Sequence, residues 1–235
     1  TKTIVSGEDA AVSSSSALET AFLETELAYI ADVLEEDSKN YHAWSHRQWL
    51  IRTVNQPAVW DRELEYVHTL IQQDPRNNSA WNQRWFAAHR AVEQPLSIEL
   101  CRREAEFALA GARLDPYNES PFRFLIGLLR EQQKVANNMA TSLYKEYYSS
   151  VEAMRLILQD AQRDPEACVN WTSARIDLLE GIHDDDEEES SLTKASALAT
   201  GMAEQYDTIR QKYWKLRVRQ LEEKKSSLNK NRTAA

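Results

Sequence analysis

Two histidines stand four residues apart in the stretch KNYHAWSHRQW, at His42 and His46. On a helix that spacing puts both imidazoles on one face, the arrangement a zinc hydrolase uses when a glutamate follows the first histidine. Here Ala43, Trp44 and Ser45 fill the interval. No carboxylate stands where a general base is needed, and no third ligand is evident, so His46 reads as a surface or interface residue of a helix. The polar start of the same stretch offers different chemistry. Lys39, Tyr41 and His42 gather hydrogen-bond donors beside the free N–H groups of a helix start, an edge suited to an anion. The acidic run HDDDEEESS, His183 to Ser191, lacks the alternating ligands and turn glycine of a calcium loop and reads as a solvated charge run. No Ser-His-Asp order, glycine-rich phosphate loop or redox motif occurs, and five glycines leave little room for one.

The elements that position these residues form a repeat. An aspartate precedes an aromatic by seven residues in DSKNYHAW (Asp37–Trp44), DPRNNSAW (Asp74–Trp81), DPYNESPF (Asp115–Phe122), DPEACVNW (Asp164–Trp171) and DTIRQKYW (Asp207–Trp214). The aspartates are separated by 37, 41, 49 and 43 residues, a period that marks an array of helical pairs. Before the first turn, Leu27, Ile30, Val33 and Leu34 recur at helical steps; before the second, Leu64, Val67, Leu70 and Ile71 do the same. Asn40, Asn77 and Asn118, three residues after their aspartates, are placed to cap the following helices. Pro75, Pro116 and Pro165 help end the preceding ones.

Arg47, Arg84 and Arg217 follow Trp44, Trp81 and Trp214 by three residues, on the same helical face; Leu125 and Ala174 replace arginine in the third and fourth copies. Tryptophans at repeat spacing favour packing between successive pairs over a ligand cage. The arginines suit two uses equally, pairing with carboxylates of adjacent helices or contacting a partner. The predicted fold is all-α, a right-handed α-α superhelix, a crescent-shaped solenoid of about five antiparallel helix pairs. The domain expectation is a disordered Ser-rich segment at 1–16, the repeat domain at 17–225 with its acidic loop near 183–191, and a mobile polar tail at 226–235.

Composition agrees. Glycine (5) and proline (6) are scarce, as in a mostly helical chain. A net charge of −9 argues against general nucleic-acid binding. Cys101 and Cys168, without CxxC spacing, suit free thiols in a reducing compartment. No apolar run is long enough to span a bilayer, and the first residues lack the apolar core of a signal peptide.

NYHAWSHRQW, followed 37 residues later by NNSAWNQRWF, resembles the repeat of protein prenyltransferase α subunits, and DTIRQKYW resembles that family too. The likeness spans roughly Glu24 to Leu221. It is nearest to the α subunit shared by farnesyltransferase and type I geranylgeranyltransferase. The resemblance implies a cytoplasmic heterodimer in which the crescent wraps a β subunit and helps move a farnesyl or geranylgeranyl group from its diphosphate to the cysteine of a CaaX sequence. It implies no cofactor on this chain, zinc on the β subunit, and magnesium assisting the diphosphate. Tyr41, with Asn40 and His42, matches family positions at the diphosphate. Trp44, Arg47, Asn77, Trp81 and Arg84 match the repeat signature or the β-subunit interface. The family lysine at the diphosphate belongs to a preceding repeat, which the resemblance places upstream, and its role does not transfer to Lys39. A Rab-type α subunit and a non-enzymatic tetratricopeptide-like scaffold are the alternatives.

Overall fold

The structure is a computed structural model that describes residues 7–90, 96–136, 168–181 and 187–234; of residues 7–20 the backbone alone is described. Among the described residues the regular structure is helical and contains no strand. In order they form α1 (Gly7–Glu36), α2 (Tyr41–Val54), α3 (Pro57–Gln73), α4 (Asn78–His89), α5 (Ile98–Leu114), α6 (Glu119–Ala136), α7 (Val169–Glu180), α8 (Glu188–Gly201) and α9 (Gln211–Ala234). A π-helical turn, Met202–Tyr206, and a short 3-10 turn, Thr208–Arg210, join α8 to α9. Helical backbone extends into both the Ser-rich lead and the polar tail. No helix among the described residues is long and apolar enough to cross a membrane. The chain divides into two compact units, Thr1–Val92 and Glu93–Ala235.

The first unit holds two helix pairs, α1–α2 and α3–α4. The predicted apolar stripe of α1 buries Leu27, Ile30 and Leu34, with Val33 half-buried. It meets Trp44, Leu50 and Ile51 from α2, and Val59, Trp60 and Val67 from α3 complete one core. On α3, Val67 and Ile71 are buried, while Leu64 and Leu70 lie at the margin. The second unit holds α5–α6 and the α7–α8–α9 group. One core of this unit joins Ile176 and Leu179 of α7, Leu192, Ala195 and Ala199 of α8, and Trp214 and Leu221 of α9. Small residues on α8 let the neighbouring helices approach closely.

The repeated turns share one mechanism. The side chains of Asp37, Asp74 and Asp115 accept from the backbone N–H two residues on, at 3.2, 3.0 and 3.1 Å. Their carbonyls accept from the asparagine N–H three residues on, each at 3.0 Å. The asparagines then cap the next helix: Asn40 accepts from Ala43 N–H, Asn77 from Ser79 and Ala80, and Asn118 from Ser120. Each turn thereby satisfies one or two of the donors that a helix start leaves free. Asp164, Pro165 and residues 183–186 of the acidic run lie outside the described residues. The end of that run begins α8, with Glu188 buried.

Candidate functional site

The repeat signature is interior. Trp44, Trp81, Phe122, Trp171 and Trp214 are all at least nine-tenths buried. An indole of this size withdraws roughly 150–250 Å² from water, worth about 4–6 kcal/mol before ordering costs. The indole N–H groups close the turns: Trp44 donates to the Ser38 carbonyl at 3.0 Å and Trp81 to the Pro75 carbonyl at 2.9 Å. Phe122 has no such donor, and the Pro116 carbonyl instead receives Asn170 Nδ2 at 3.2 Å. Trp214 donates to the Asp207 carboxylate at 2.7 Å.

Arg47 and Arg217 resolve toward internal carboxylates. Arg47, 4% exposed, makes a bidentate pair with Glu63, its Nε and Nη2 lying 2.8 and 2.7 Å from the two carboxylate oxygens. Gln83 donates to the same carboxylate at 2.8 Å and accepts from Gln48 at 2.9 Å. The Tyr66 ring lies under the guanidinium at 3.8 Å, and burial pushes its phenol pKa up against the Arg47 charge. This network ties α2, α3 and α4 together. Glu63, Gln83, Gln48 and Tyr66 were not among the sequence-predicted site residues. Arg84 is likewise buried.

In the second unit Arg217 reaches Asp177 at 2.8 Å and Glu180 at 2.6 Å, and Lys224 donates to the Glu180 carbonyl. Burial pushes the Asp177 pKa up despite Arg217 and Arg130 nearby. The Arg217 pKa stands above its ordinary value: burial works against it, and Glu180 and Asp177 outweigh burial.

The remaining candidates sit at the start of α2. Tyr41 is 76% exposed and His42 is exposed, their rings 5.6 Å apart in an edge-on contact. Asn40 is half-buried, and its side-chain oxygen is committed to the cap. The N–H groups of Tyr41 and His42 belong to the first turn, where the helix field favours an anion. His46 has partners of its own. It lies 3.1 Å from Glu26 and stacks on Trp49 at 5.5 Å. Among the described residues no group of three or more His, Cys, Asp or Glu side chains could hold a metal ion. Cys101 and Cys168 are both buried thiols outside any disulfide.

Residues 23–54 and 60–91 match the protein prenyltransferase alpha subunit repeat. These two stretches correspond to the α1–α2 and α3–α4 pairs. A Candida albicans protein geranylgeranyltransferase-I complexed with GGPP has a similar fold, with a TM-score of 0.59 at 21% identity. The match covers 84% of this chain and 59% of the Candida chain. The chain thus spans less than two thirds of that structure's matched polypeptide.

Proposed function

We propose, from a chain that carries protein prenyltransferase alpha subunit repeats on an all-α fold of paired helices, that it serves as the α subunit of a heterodimeric CaaX prenyltransferase. The observation that carries this reading is the coincidence of both repeat matches with intact helix pairs, the first of which presents Tyr41 and His42 to solvent. Catalytic metal belongs to the partner in this reading, and no step runs through a metal on this chain. The α chain holds and orients the diphosphate of a prenyl donor. The Tyr41 phenol donates to a phosphate oxygen, His42 lies beside it, and the first-turn N–H groups of α2 face the same charge. An exposed phenol with its ring braced on one side needs little reordering to do this. The farnesyl or geranylgeranyl choice is assigned to the β partner, whose pocket would hold the lipid.

Two measurements test the reading. Co-expression with a prenyltransferase β subunit yields a heterodimer that transfers a prenyl group to a CaaX peptide; an α chain that stays alone beside its partner overturns the assignment. Within that heterodimer, Tyr41→Phe weakens prenyl diphosphate binding by about 10- to 100-fold, the loss of one hydrogen bond to a charged acceptor. Unchanged affinity removes Tyr41 from the site while leaving the pairing intact.

A further inference from the structure

The last helix carries charge of the opposite sign to the rest of the chain. Residues 208–235 hold nine Lys and Arg against two Asp and Glu, a net of +7 within a chain whose total is −9. Between Asp207 and Glu222 five basic residues occur and no acidic one. Two of the five turn inward: Arg210 Nε lies 2.6 Å from the Asp207 carboxylate, and Arg217 pairs with Asp177 and Glu180. The other three, Lys212, Lys215 and Arg219, are exposed and make no ion pair among the described residues. Tyr213 and Leu216 stand beside them at 40% and 47% exposure. Steps of three and four put Lys212, Tyr213, Leu216, Arg219 and Gln220 on one face of α9, with Lys215 flanking it. The opposite face is fixed to its core through Trp214 and Leu221, 1% and 0% exposed. The outward face is thus a ridge held in place from behind, with two half-exposed apolar side chains along its crest and three cations on one flank.

We propose that this face docks the chain on an anionic bilayer, with α9 lying along the headgroups and not crossing. Its occupant is the headgroup layer of acidic phospholipids. The commitment rests first on charge complementarity. The chain as a whole is repelled by an anionic surface, so the sign reversal in α9 both supplies the attraction and selects the side that faces it. The residue types favour a bilayer over an acidic protein. Protein interfaces are depleted of lysine, and two of the three outward cations are lysines. Their stems can lie along apolar surface while the ammonium groups reach phosphate. Tyrosine suits the boundary between headgroups and acyl chains, its ring on one side and its hydroxyl on the other. A convex ridge also meets a yielding surface without a matching groove. The inference stands on the charge and exposure of α9 and does not depend on prenyl transfer.

The test uses the full chain with two sets of vesicles, phosphatidylcholine alone and phosphatidylcholine mixed with phosphatidylserine. Cosedimentation is expected with the mixed set and not with the neutral one, and it weakens as salt rises, a readout that needs no variant. Lys212→Gln, Lys215→Gln and Arg219→Gln together weaken it on the order of 100-fold, since each cation near such a surface contributes about a factor of five. Leu216→Ser, which leaves every charge in place, weakens it about fivefold. Because Cys101 and Cys168 are buried, a Gln220→Cys variant takes an environment-sensitive fluorophore selectively on the same face. Its emission is expected to shift to the blue on mixed vesicles. Equal binding to both vesicle sets, binding indifferent to the triple substitution, or a label that stays in water on bound vesicles overturns the proposal. A chain that ignores vesicles and binds polyglutamate through the same three cations overturns it too, because the partner is then an acidic protein segment. So does a β subunit that shifts the label and releases the chain from vesicles, since the face then belongs to the pairing interface.

Discussion

At the scale of single residues, the buried charges decide more than the exposed ones. Arg47 and Glu63 are both almost wholly withdrawn from water, and each has its hydrogen-bonding groups taken up by the other, by Gln83 or by the Leu27 carbonyl at 3.3 Å. Such a pair adds little net stability over an apolar isostere, but breaking it strands a charge. Arg47→Ala is therefore expected to cost about 3–5 kcal/mol in denaturant unfolding, and Arg47→Met with Glu63→Leu much less than either change alone. A single-variant cost within about 1 kcal/mol would show that water reaches the site. Part of this network is written in the sequence. Glutamate stands eleven residues before the turn aspartate in three repeats, at Glu26, Glu63 and Glu104, and an aromatic stands eight before it, at Tyr29, Tyr66 and Phe107. Amphipathic patterning assigns glutamate to the solvent side, so apolar periodicity passes over it. What sequence could not supply was which carboxylate meets which arginine, because that depends on contact between pairs rather than within them.

At the scale of elements, the turn-and-cap unit was legible because its chemistry is local: an aspartate, an asparagine three later and an aromatic seven later can be read without knowing any neighbour. The clasp between successive pairs was not. The Ser38 carbonyl accepts from Trp44 of its own pair and from Asn77 Nδ2 of the next at 3.3 Å. Asn40→Ala, which removes a cap alone, is expected to cost about 1 kcal/mol. Asn77→Ala removes a cap and the clasp at a buried position and should cost about 2 kcal/mol or more. Equal costs by chemical denaturation would show that the clasp contributes nothing. In the second unit α7 and α9 are joined by Asp177 and Arg217, and here pH is the probe. The Asp177 pKa is raised by burial, so the folded state holds its proton more tightly than the unfolded chain. The Asp177 contribution is then most favourable when the carboxyl is protonated. It is lost as pH rises from near 3.8, the ordinary value, through the raised folded-state pKa. The stability difference between the native chain and Asp177→Asn, followed by unfolding across that window, should shift against the native chain as pH increases. A shift in the opposite direction would mean that the arginines outweigh burial.

At the scale of the whole molecule, the apolar side chains left outside the cores cluster at particular places in the repeat. Leu114 and Tyr117 flank the third turn at 77% and 70% exposure, and Ile209 in the fifth is 99% exposed. Tyr117 and Ile209 each follow their turn aspartate by two residues. Among the described residues neither belongs to the core formed by α7, α8 and α9, and their exposure gives folding of the free chain little reason for either to be apolar. Single exposed apolar residues are ordinary on a protein surface; these two share a register position that Lys39, Arg76 and Glu166 fill with charge in the other copies, so an apolar choice there is local and calls for a cause. The proposed β-subunit pairing supplies one, since the well-packed centre of an interface favours aromatic and aliphatic anchors over charge. Tyr117→Ser and Ile209→Ser are accordingly expected to leave the unfolding free energy of the free chain within about 0.5 kcal/mol, as surface changes do. In the heterodimer the two together should weaken pairing by about tenfold or more, the scale of a modest interface anchor. Titrating the β subunit against the native and doubly substituted chains separates the cases. Equal affinities would place the interface elsewhere on the helix pairs, while a loss of stability in the free chain would show that these side chains serve the fold.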